Sequence, residues 1–173
     1  MRRLQAGTFQ GVCTVVMKLF GIAPAQIAYF GRKDFQQSVV VRRMVRDLDL
    51  DINIRVLPVV REKDGLALSS RNQYLAPEQR REATCLYRAL SEVRSEFENG
   101  QKDVKKLEDI MWERLKENVL VCPEYAEIVT PASLEKPEAA TADSMAVIAV
   151  YLGDTRLIDN MPLGGVLEDV FLE

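Results

Sequence analysis

The sequence predicts an α/β protein in which a parallel α/β unit is followed by a small α+β unit. In residues 9 to 60 the apolar spacing alternates between helical and strand-like, in the order helix, strand, helix, strand. The connections between these segments are short, which is typical of parallel strands joined by right-handed crossovers. From residue 77 onward two helical patterns precede three strand-like runs, which favours an α+β arrangement.

The first unit contains two predicted helices and two predicted strands. A helix near residues 9 to 20 carries apolar side chains at three- and four-residue spacing, and a short buried strand follows at Ile27–Phe30. A second amphipathic helix is predicted over residues 33 to 48, and a second strand over Asn53–Val60. Because two strands are too few for a stable sheet, we expect neighbouring strands to come from sequence upstream of residue 1 or from another chain.

The second unit opens with a long helix that begins at Pro77 and stops at Asn99-Gly100. Proline favours the first helical position and glycine the position just past the end. Asp103 can cap a second helix. Strand-like apolar runs follow at Tyr125–Val129, Met145–Leu152 and Thr155–Asp159, the last two joined by a turn at Gly153-Asp154.

Composition limits the classes of function. The 173 residues are 47% hydrophobic and 28% charged, which is ordinary for a soluble globular protein. The formal net charge of −3 argues against a nucleic-acid binder driven by bulk phosphate attraction, so any anion site must be local. Cys13, Cys85 and Cys122 are odd in number and widely spaced, which suggests neither a disulfide framework nor a zinc site. The sequence contains no run of about 20 apolar residues of the kind that spans a membrane. The cysteine pattern and the lack of such a run together favour a reducing cytoplasm.

A first polar cluster, Gly31-Arg32-Lys33-Asp34-Phe35-Gln36-Gln37, lies where a predicted strand passes into a predicted helix. Backbone amides at a helix start can face an anion with help from the helix dipole, and Lys33 adds a positive charge. Lys33 and Gln37 are four residues apart and so project on adjacent parts of one helical face. The alternative interpretation is that Lys33 and Gln37 are solvated surface residues and that Asp34 complements the helix dipole.

A second polar cluster, Leu68-Ser69-Ser70-Arg71-Asn72, follows the next strand-like run and the charged loop Arg61-Glu62-Lys63-Asp64-Gly65. Hydroxyls and amides can bind phosphate oxygens, and a guanidinium can grip them with two hydrogen bonds. Its alternative interpretation is a turn with Asn72 as a cap. Because each cluster follows a strand of an α/β unit, the two together favour a nucleotide site at the carboxyl edge of the sheet.

Three strings in this sequence resemble the pantothenate synthetase family, the pantoate-β-alanine ligases. They are Tyr29 to Gln37, Asp64 to Asn72 with Tyr74-Leu75, and Arg156-Leu157-Ile158-Asp159-Asn160. The resemblance runs from about Phe9 to Leu163, and this combination of strings is highly specific.

The resemblance implies a fold and a domain organisation. Residues 1–63 would be the C-terminal part of a Rossmann-like nucleotidylyl-transferase domain, related to class I aminoacyl-tRNA synthetases. Residues 64–76 would form a linker with an ATP loop equivalent to the KMSKS loop. Residues 77–173 would be a small α+β C-terminal lid domain.

The resemblance also implies a two-step ligase reaction. Pantoate and ATP give pantoyl adenylate and pyrophosphate, and the amine of β-alanine then displaces AMP to give pantothenate, with Mg²⁺ as cofactor. The implied partners are these small molecules and a second copy in a homodimer, without nucleic acid or membrane. The implied catalytic residues are Lys33, Ser69, Ser70 and Arg71, and no residue is predicted as a metal ligand. The implied ATP contacts are Gly31, Arg32, Lys33, Asp34, the backbone of Val60, Leu68, Ser69, Ser70 and Arg71, and Gln37 would hold pantoate.

The sequence differs from the family pattern at several points. The histidine pair of the family's first ATP motif and a pantoate-binding glutamine would lie upstream of residue 1. Thr8 precedes Phe9-Gln10-Gly11-Val12 where the family usually has a histidine, and Arg32 stands where an acidic residue is common. We therefore expect that this chain does not turn over alone.

Two other classes of function remain open at this stage. A non-catalytic fragment would fold, bind weakly and self-associate through its exposed sheet edge. A tRNA-binding fragment would share the ATP loop, but the acidic balance and the absence of a basic, aromatic face argue against it.

Overall fold

A computed structural model describes residues 4–165 and 169–171. This part of the chain divides into two compact units that meet in sequence between Leu57 and Pro58. The elements of the first unit are α1 Leu4–Ile22, β1 Ile27–Gly31, a 3-10 turn Arg32–Asp34, α2 Phe35–Asp47 and β2 Asn53–Leu57. Those of the second unit are β3 Val60–Arg61, a 3-10 helix Ser70–Tyr74, α3 Pro77–Glu82, α4 Cys85–Glu98, α5 Val104–Lys116, β4 Val121–Val129, β5 Met145–Leu152, β6 Thr155–Pro162 and β7 Val170–Phe171.

In the first unit, β1 and β2 pair in parallel, from Ile27 opposite Asn53 to Gly31 opposite Leu57. One face of this two-stranded sheet packs against α1 and α2, as the amphipathic pattern of α2 requires. The buried residues at the centre of that contact are Val16, Val41, Val45 and Ile54. The parallel pairing confirms the α/β character predicted from the alternation of helix and strand.

The other face of the same sheet is exposed. Successive side chains of a strand point to opposite faces, so Ile27 and Tyr29 alternate with the inward-facing Ala28 and Phe30. Tyr29 is 62% exposed, and Leu57 on the neighbouring strand is 49% exposed. On this face the sheet therefore presents Ile27, Tyr29 and Leu57 to solvent beside the exposed polar side chains of Asn53 and Arg55.

The second unit is built on an antiparallel sheet in the order β4-β5-β6. The β5 and β6 strands form a hairpin from Met145 opposite Pro162 to Leu152 opposite Thr155. Helices α4 and α5 bury their apolar stripes in one core with this sheet. Fully buried members of that core are Leu86, Leu90, Leu107, Met111, Leu115, Ile128, Ile148 and Leu152. A separate two-stranded parallel pair joins β3 to β7.

The strand predicted over Asn53–Val60 is interrupted in the structure. The β2 strand ends at Leu57, and Val60 begins β3, which pairs with β7 and not with β1. Pro58 lies at the break, and because proline has no backbone N–H it cannot continue a hydrogen-bonded ladder.

The helix predicted from Pro77 to Asn99 is two helices. Ala83 and Thr84 form a turn between α3 and α4. The Thr84 hydroxyl donates to the carbonyl of Arg81 at 2.9 Å, a local bond of the kind that competes with regular helix geometry. The predicted cap of the following helix is confirmed, since the Asp103 carboxylate accepts from the amide of Lys106 at 3.1 Å.

Other boundaries shift by a few residues. The helix predicted over residues 33 to 48 begins as a 3-10 turn and becomes α-helical at Phe35. The β4 strand starts at Val121, earlier than predicted, and β6 continues to Pro162, whereas β5 has the predicted bounds. Within residues 4–165 and 169–171, none of the helices combines the length and apolarity needed to cross a membrane.

Candidate functional site

The first predicted cluster lies at the carboxyl end of β1. Gly31 is the last residue of the strand, Lys33 lies in the 3-10 turn, and Gln37 lies in the first turn of α2. Asp34 is exposed, and Lys33 and Gln37 are half-buried. Arg32, by contrast, is only 3% exposed.

Gly31 has no conformational or packing requirement for glycine. Its backbone is extended, with φ −76° and ψ 134°, a region open to any residue. A Cβ built at this position meets no atom within 4 Å. Close approach of a group from outside the protein is therefore the physical reason that would favour a residue without a side chain here.

The second predicted cluster emerges from a tight hairpin in the second unit, which we call the loop hairpin, residues 60–68. Its two arms are joined by an antiparallel bridge between Arg61 and Ala67. The amide of Leu68 donates to the carbonyl of Val60 at 2.9 Å. The Val60 carbonyl, which the resemblance places at the adenine, thus already accepts one backbone bond.

The tip of the loop hairpin is closed by its own backbone. The amide of Gly65 donates to the Glu62 carbonyl at 2.9 Å, and the amide of Glu62 donates to the Leu66 carbonyl at 2.9 Å. The Asp64 carboxylate accepts from the amide of Leu66 at 3.2 Å. Because its backbone groups are paired in this way, the tip has a defined shape.

Arg80 on α3 holds the acidic side chains of the tip. Its guanidinium donates to Glu62 and forms an ion pair with Asp64, each at 2.8 Å. The hydrogen bond from Arg80 lowers the pKa of the Asp64 carboxyl, and the same bond raises the pKa of Arg80. This role of Arg80 has no local signal in the sequence, because no short pattern links it to an acidic loop that precedes it by about 16 residues.

Asn72 braces the loop hairpin from its far side, and Ser69 caps the 3-10 helix. The Asn72 side-chain amide donates to Glu62 at 2.9 Å and to the Ala67 carbonyl at 3.1 Å. The Ser69 hydroxyl accepts from the amide of Arg71 at 3.3 Å. The cap expected from the turn interpretation is therefore supplied by Ser69, while Asn72 ties two arms of the loop together.

Ser70 and Arg71 are exposed at the end of this braced segment, and Leu68 is 48% exposed. The 3-10 helix after the loop hairpin thus offers a hydroxyl and a guanidinium to solvent, and the loop hairpin that leads into it is held by Asp64, Asn72 and Arg80. Such an arrangement can bind phosphate oxygens with little ordering of the backbone. The two clusters lie in different compact units.

The described residues do not form a cage for a metal ion. Among residues 4–165 and 169–171, no group of three or more Asp, Glu, Cys or His side chains gathers in one place. Mg²⁺ at nucleotide sites is commonly held by one or two carboxylates together with substrate phosphates. The donor set seen here does not fit a magnesium site made by the protein itself.

Comparison with known proteins gives one consistent set of relatives. The family model described as pantoate-beta-alanine ligase matches residues 2–162. A pantothenate synthetase of Geobacter sulfurreducens is 47% identical over 158 residues, covering 91% of this chain and 56% of the relative. One from Thermotoga petrophila is 46% identical over 162 residues, covering 94% of this chain and 58% of the relative. The chain thus spans somewhat over half the length of these curated relatives.

Solved structures similar to this chain come from the same set of proteins. The crystal structure of pantothenate synthetase from Thermus thermophilus matches with a TM-score of 0.86 at 43% identity, covering 90% of this chain and 56% of that one. A Francisella tularensis pantoate-beta-alanine ligase, solved in complex with beta-gamma ATP and beta-alanine, matches with a TM-score of 0.64 at 27% identity, covering 92% of this chain and 52% of that one.

Proposed function

Because this chain belongs to the pantoate-β-alanine ligase family, we propose that it serves the ATP-dependent joining of pantoate to β-alanine. Membership confirms the resemblance seen in the three strings, and the structural match confirms the α/β, nucleotidylyl-transferase-like fold. The observation that carries the proposal is the braced loop hairpin and the 3-10 helix that follows it, which exposes Ser70 and Arg71 to solvent. The ligand-bound Francisella relative supports ATP and β-alanine as substrates.

The proposed reaction has two steps. A carboxylate oxygen of pantoate attacks the α-phosphorus of ATP, and pyrophosphate leaves with the electrons of the broken P–O bond. The amine of β-alanine then attacks the acyl carbon of pantoyl adenylate, and AMP leaves as the amine loses a proton. The protein forms no covalent bond in either step, so its work is positioning and charge stabilisation.

Within this reaction, Lys33, Ser69, Ser70 and Arg71 are proposed as the residues that bind the phosphates. Lys33 and Arg71 supply positive charge where negative charge grows on the leaving pyrophosphate. The half-buried position of Lys33 and the exposed position of Arg71 suit side chains that order around a ligand. The Ser69 hydroxyl already accepts one bond, and its proton remains available for a phosphate oxygen.

The contacts with the ribose, the adenine and pantoate are proposed from the resemblance. Gly31 and Asp34 would lie near the ribose, the Val60 backbone near the adenine, and Gln37 near pantoate. The buried Arg32 would act through its charge and not by direct grip. Mg²⁺ is the cofactor that the resemblance implies.

We further propose that these 173 residues bind ATP without completing turnover. They span 56% of the Geobacter relative, so a large share of that protein has no counterpart in the matched region. Removing groups that stabilise a transition state costs orders of magnitude in rate. Pantothenate formation by this chain at a rate ordinary for enzymes, about 1 s⁻¹ or faster, would contradict this part of the proposal.

The experiment is isothermal titration of ATP with Mg²⁺ into the chain and its variants. Lys33→Ala and Arg71→Ala each remove one charge-assisted contact, so we expect roughly a 10- to 100-fold loss of affinity from each. Lys18→Ala and Arg81→Ala are the matched controls, since each removes an equal charge from an exposed position of the same unit.

The outcomes separate the proposal from nonspecific attraction. Loss of affinity in the two site variants, with both controls unchanged, supports a role for Lys33 and for Arg71 in binding ATP. An equal effect in all four variants indicates bulk electrostatics, and no ATP binding by the unaltered chain sinks the proposal. Titration with inorganic pyrophosphate then tests whether the phosphates carry the recognition.

A second property, self-association, is favoured by the exposed face of the β1-β2 sheet. Ile27 is 40%, Tyr29 62% and Leu57 49% exposed, and monomeric proteins seldom leave such a sheet face uncovered. We expect a concentration-dependent increase in mass by light scattering, weakened by Tyr29→Lys and not by Tyr74→Lys, a control tyrosine that is 69% exposed in the second unit. A monomer at all concentrations contradicts it.

A further inference from the structure

Arg61, at the root of the loop hairpin, is fully buried, with 0% of its surface exposed. Buried arginines are rare and require partners for all five of their N–H groups. In the sequence, Arg61 is only part of a charged loop, and Asp159 is only part of a family string without a role. The structure brings these two residues together across 98 positions of the chain.

The Arg61 guanidinium has an acceptor at each of its three nitrogens. Nη1 and Nη2 donate to the two oxygens of Asp159 at 2.7 and 3.1 Å, and Nε donates to Asp169 at 2.5 Å. Nη1 also donates to the Gly65 carbonyl at 2.9 Å, and Nη2 to the Asn160 carbonyl at 3.4 Å. The side chain therefore joins β3, the tip of the loop hairpin, the end of β6 and the segment before β7.

Tyr87 on α4 completes this arrangement. The Arg61 guanidinium carbon lies 4.7 Å from the centre of the Tyr87 ring. The backbone of Gly65 packs closely against the same ring, since a Cβ built at Gly65 would lie 2.2 Å from the Tyr87 Cδ1 atom. One face of the loop hairpin is therefore fixed by a charged group and a ring in contact with each other.

We propose that Arg61 and Asp159 are positioning residues that hold the loop hairpin, and with it Ser69, Ser70 and Arg71, in place for the phosphates of ATP. The loop hairpin ends at Leu68, directly before these three residues, so its anchoring sets where they start. This inference rests on the proposed function, and it assigns the Arg156–Asn160 string a task. The string supplies the carboxylate that receives the loop's arginine.

The charge balance indicates which variants keep the fold. One guanidinium faces two carboxylates, so Asp159→Asn leaves a balanced pair of Arg61 and Asp169, and Asp169→Asn leaves a balanced pair of Arg61 and Asp159. Asp159→Asn leaves one acceptor oxygen where the carboxylate used two, whereas Asp169→Asn can keep its single hydrogen bond through Oδ1 and loses only the charge. We therefore expect Asp159→Asn to loosen the loop more.

The test is amide hydrogen exchange in the whole chain. We expect the Leu68 amide, which bonds to Val60 across the loop hairpin, to exchange roughly tenfold faster or more in Asp159→Asn, with the fully buried Val93 in α4 little changed. Asp169→Asn should give a smaller change at Leu68. Leu107→Ala, which destabilises the same unit away from the loop, should raise exchange at Leu68 and Val93 alike.

ATP titration of the same variants supplies the functional readout. A displaced loop should weaken ATP binding by roughly tenfold in Asp159→Asn, and Leu107→Ala should leave it unchanged at temperatures where it is folded. An equal rise in exchange at Leu68 and Val93 in Asp159→Asn overturns the proposal, as does unchanged ATP affinity beside a loosened loop. If Asp159→Asn fails to fold, the milder Asp169→Asn decides by the same comparison. If the unaltered chain binds no ATP, the proposed function fails and the exchange data alone decide the anchoring.

Discussion

Replacing Gly65 with alanine tests how tightly the loop hairpin is held. The residue has φ +93°, a left-handed conformation that costs a non-glycine residue about 1–3 kcal/mol. The new Cβ would also lie 2.2 Å from the Tyr87 ring, so the ring or the backbone must move. Forced repacking of this kind costs about 1–3 kcal/mol more. Alanine recovers about 0.4–1 kcal/mol through the unfolded state, so we expect a net loss of about 1–5 kcal/mol.

Gly100→Ala is the matched control, because Gly100 has φ +101° and no atom within 4 Å of the built Cβ. Alanine at position 100 meets the cost of a left-handed backbone but no clash of the new Cβ. The free energy of unfolding should therefore fall by about 1–2 kcal/mol. The difference between the two variants measures the contact with Tyr87. In a Tyr87→Ala background the cost of Gly65→Ala should fall to that of Gly100→Ala, which a double-mutant cycle detects.

The assay is urea unfolding followed by tryptophan fluorescence. Trp112 is the single tryptophan of the chain and packs against the core of the second unit, so its signal reports on the unit that contains both glycines. A loss for Gly65→Ala no larger than that for Gly100→Ala would refute the reasoning, since it would mean that the ring and the loop do not press on each other.

Three further predictions concern single side chains of the second unit. Burial raises the pKa of the Cys85 thiol to about 12, so iodoacetamide near neutral pH should label the exposed Cys122 and reach Cys85 only on unfolding, as peptide mass spectrometry would show. Asp103→Ala removes the cap of α5 and should cost about 1 kcal/mol by urea unfolding; no loss would contradict the capping role. Arg80 lowers the pKa of Asp64 below its ordinary 3.8, so the folded form binds fewer protons than the unfolded chain. Its stabilisation is present above that value and lost as pH falls below it, and Asp64→Asn should flatten the acid decline in unfolding free energy.

Elements with an uninterrupted local signal are the ones that the sequence predicts well. The β5 strand is a continuous apolar run from Met145 to Leu152 that is buried on both faces, and its bounds match the prediction. The cap at Asp103 needs only three residues of sequence to be recognised. By contrast, the strand break at Pro58 was missed even though proline marks it, because the apolar residues on both sides continue the pattern.

In the candidate site too, adjacent residues are predicted from the sequence and long-range contacts are not. Ser69, Ser70 and Arg71 are found from the sequence because they are adjacent, and hydroxyls beside a guanidinium form a recognisable phosphate pattern. What holds them is not local. Arg80 reaches back to Glu62 and Asp64 from the next helix, and that distance depends on a turn whose shape no short window encodes.

The buried pair of Arg61 and Asp159 shows why a long-range polar contact cannot be identified from a short stretch of sequence. One of its residues can still be recognised as unusual. An aspartate at the end of a strand-like run, directly after Ile158, conflicts with the rule that strands bury apolar side chains. A carboxylate so placed must find a cation, because burial alone raises the pKa of Asp159, an effect that Arg61 opposes. Burial would likewise lower the pKa of Arg61, yet its two carboxylate partners raise it overall. The conflict in the sequence thus predicts that a partner exists, and only the topology, which brings β3 to the end of β6, identifies it.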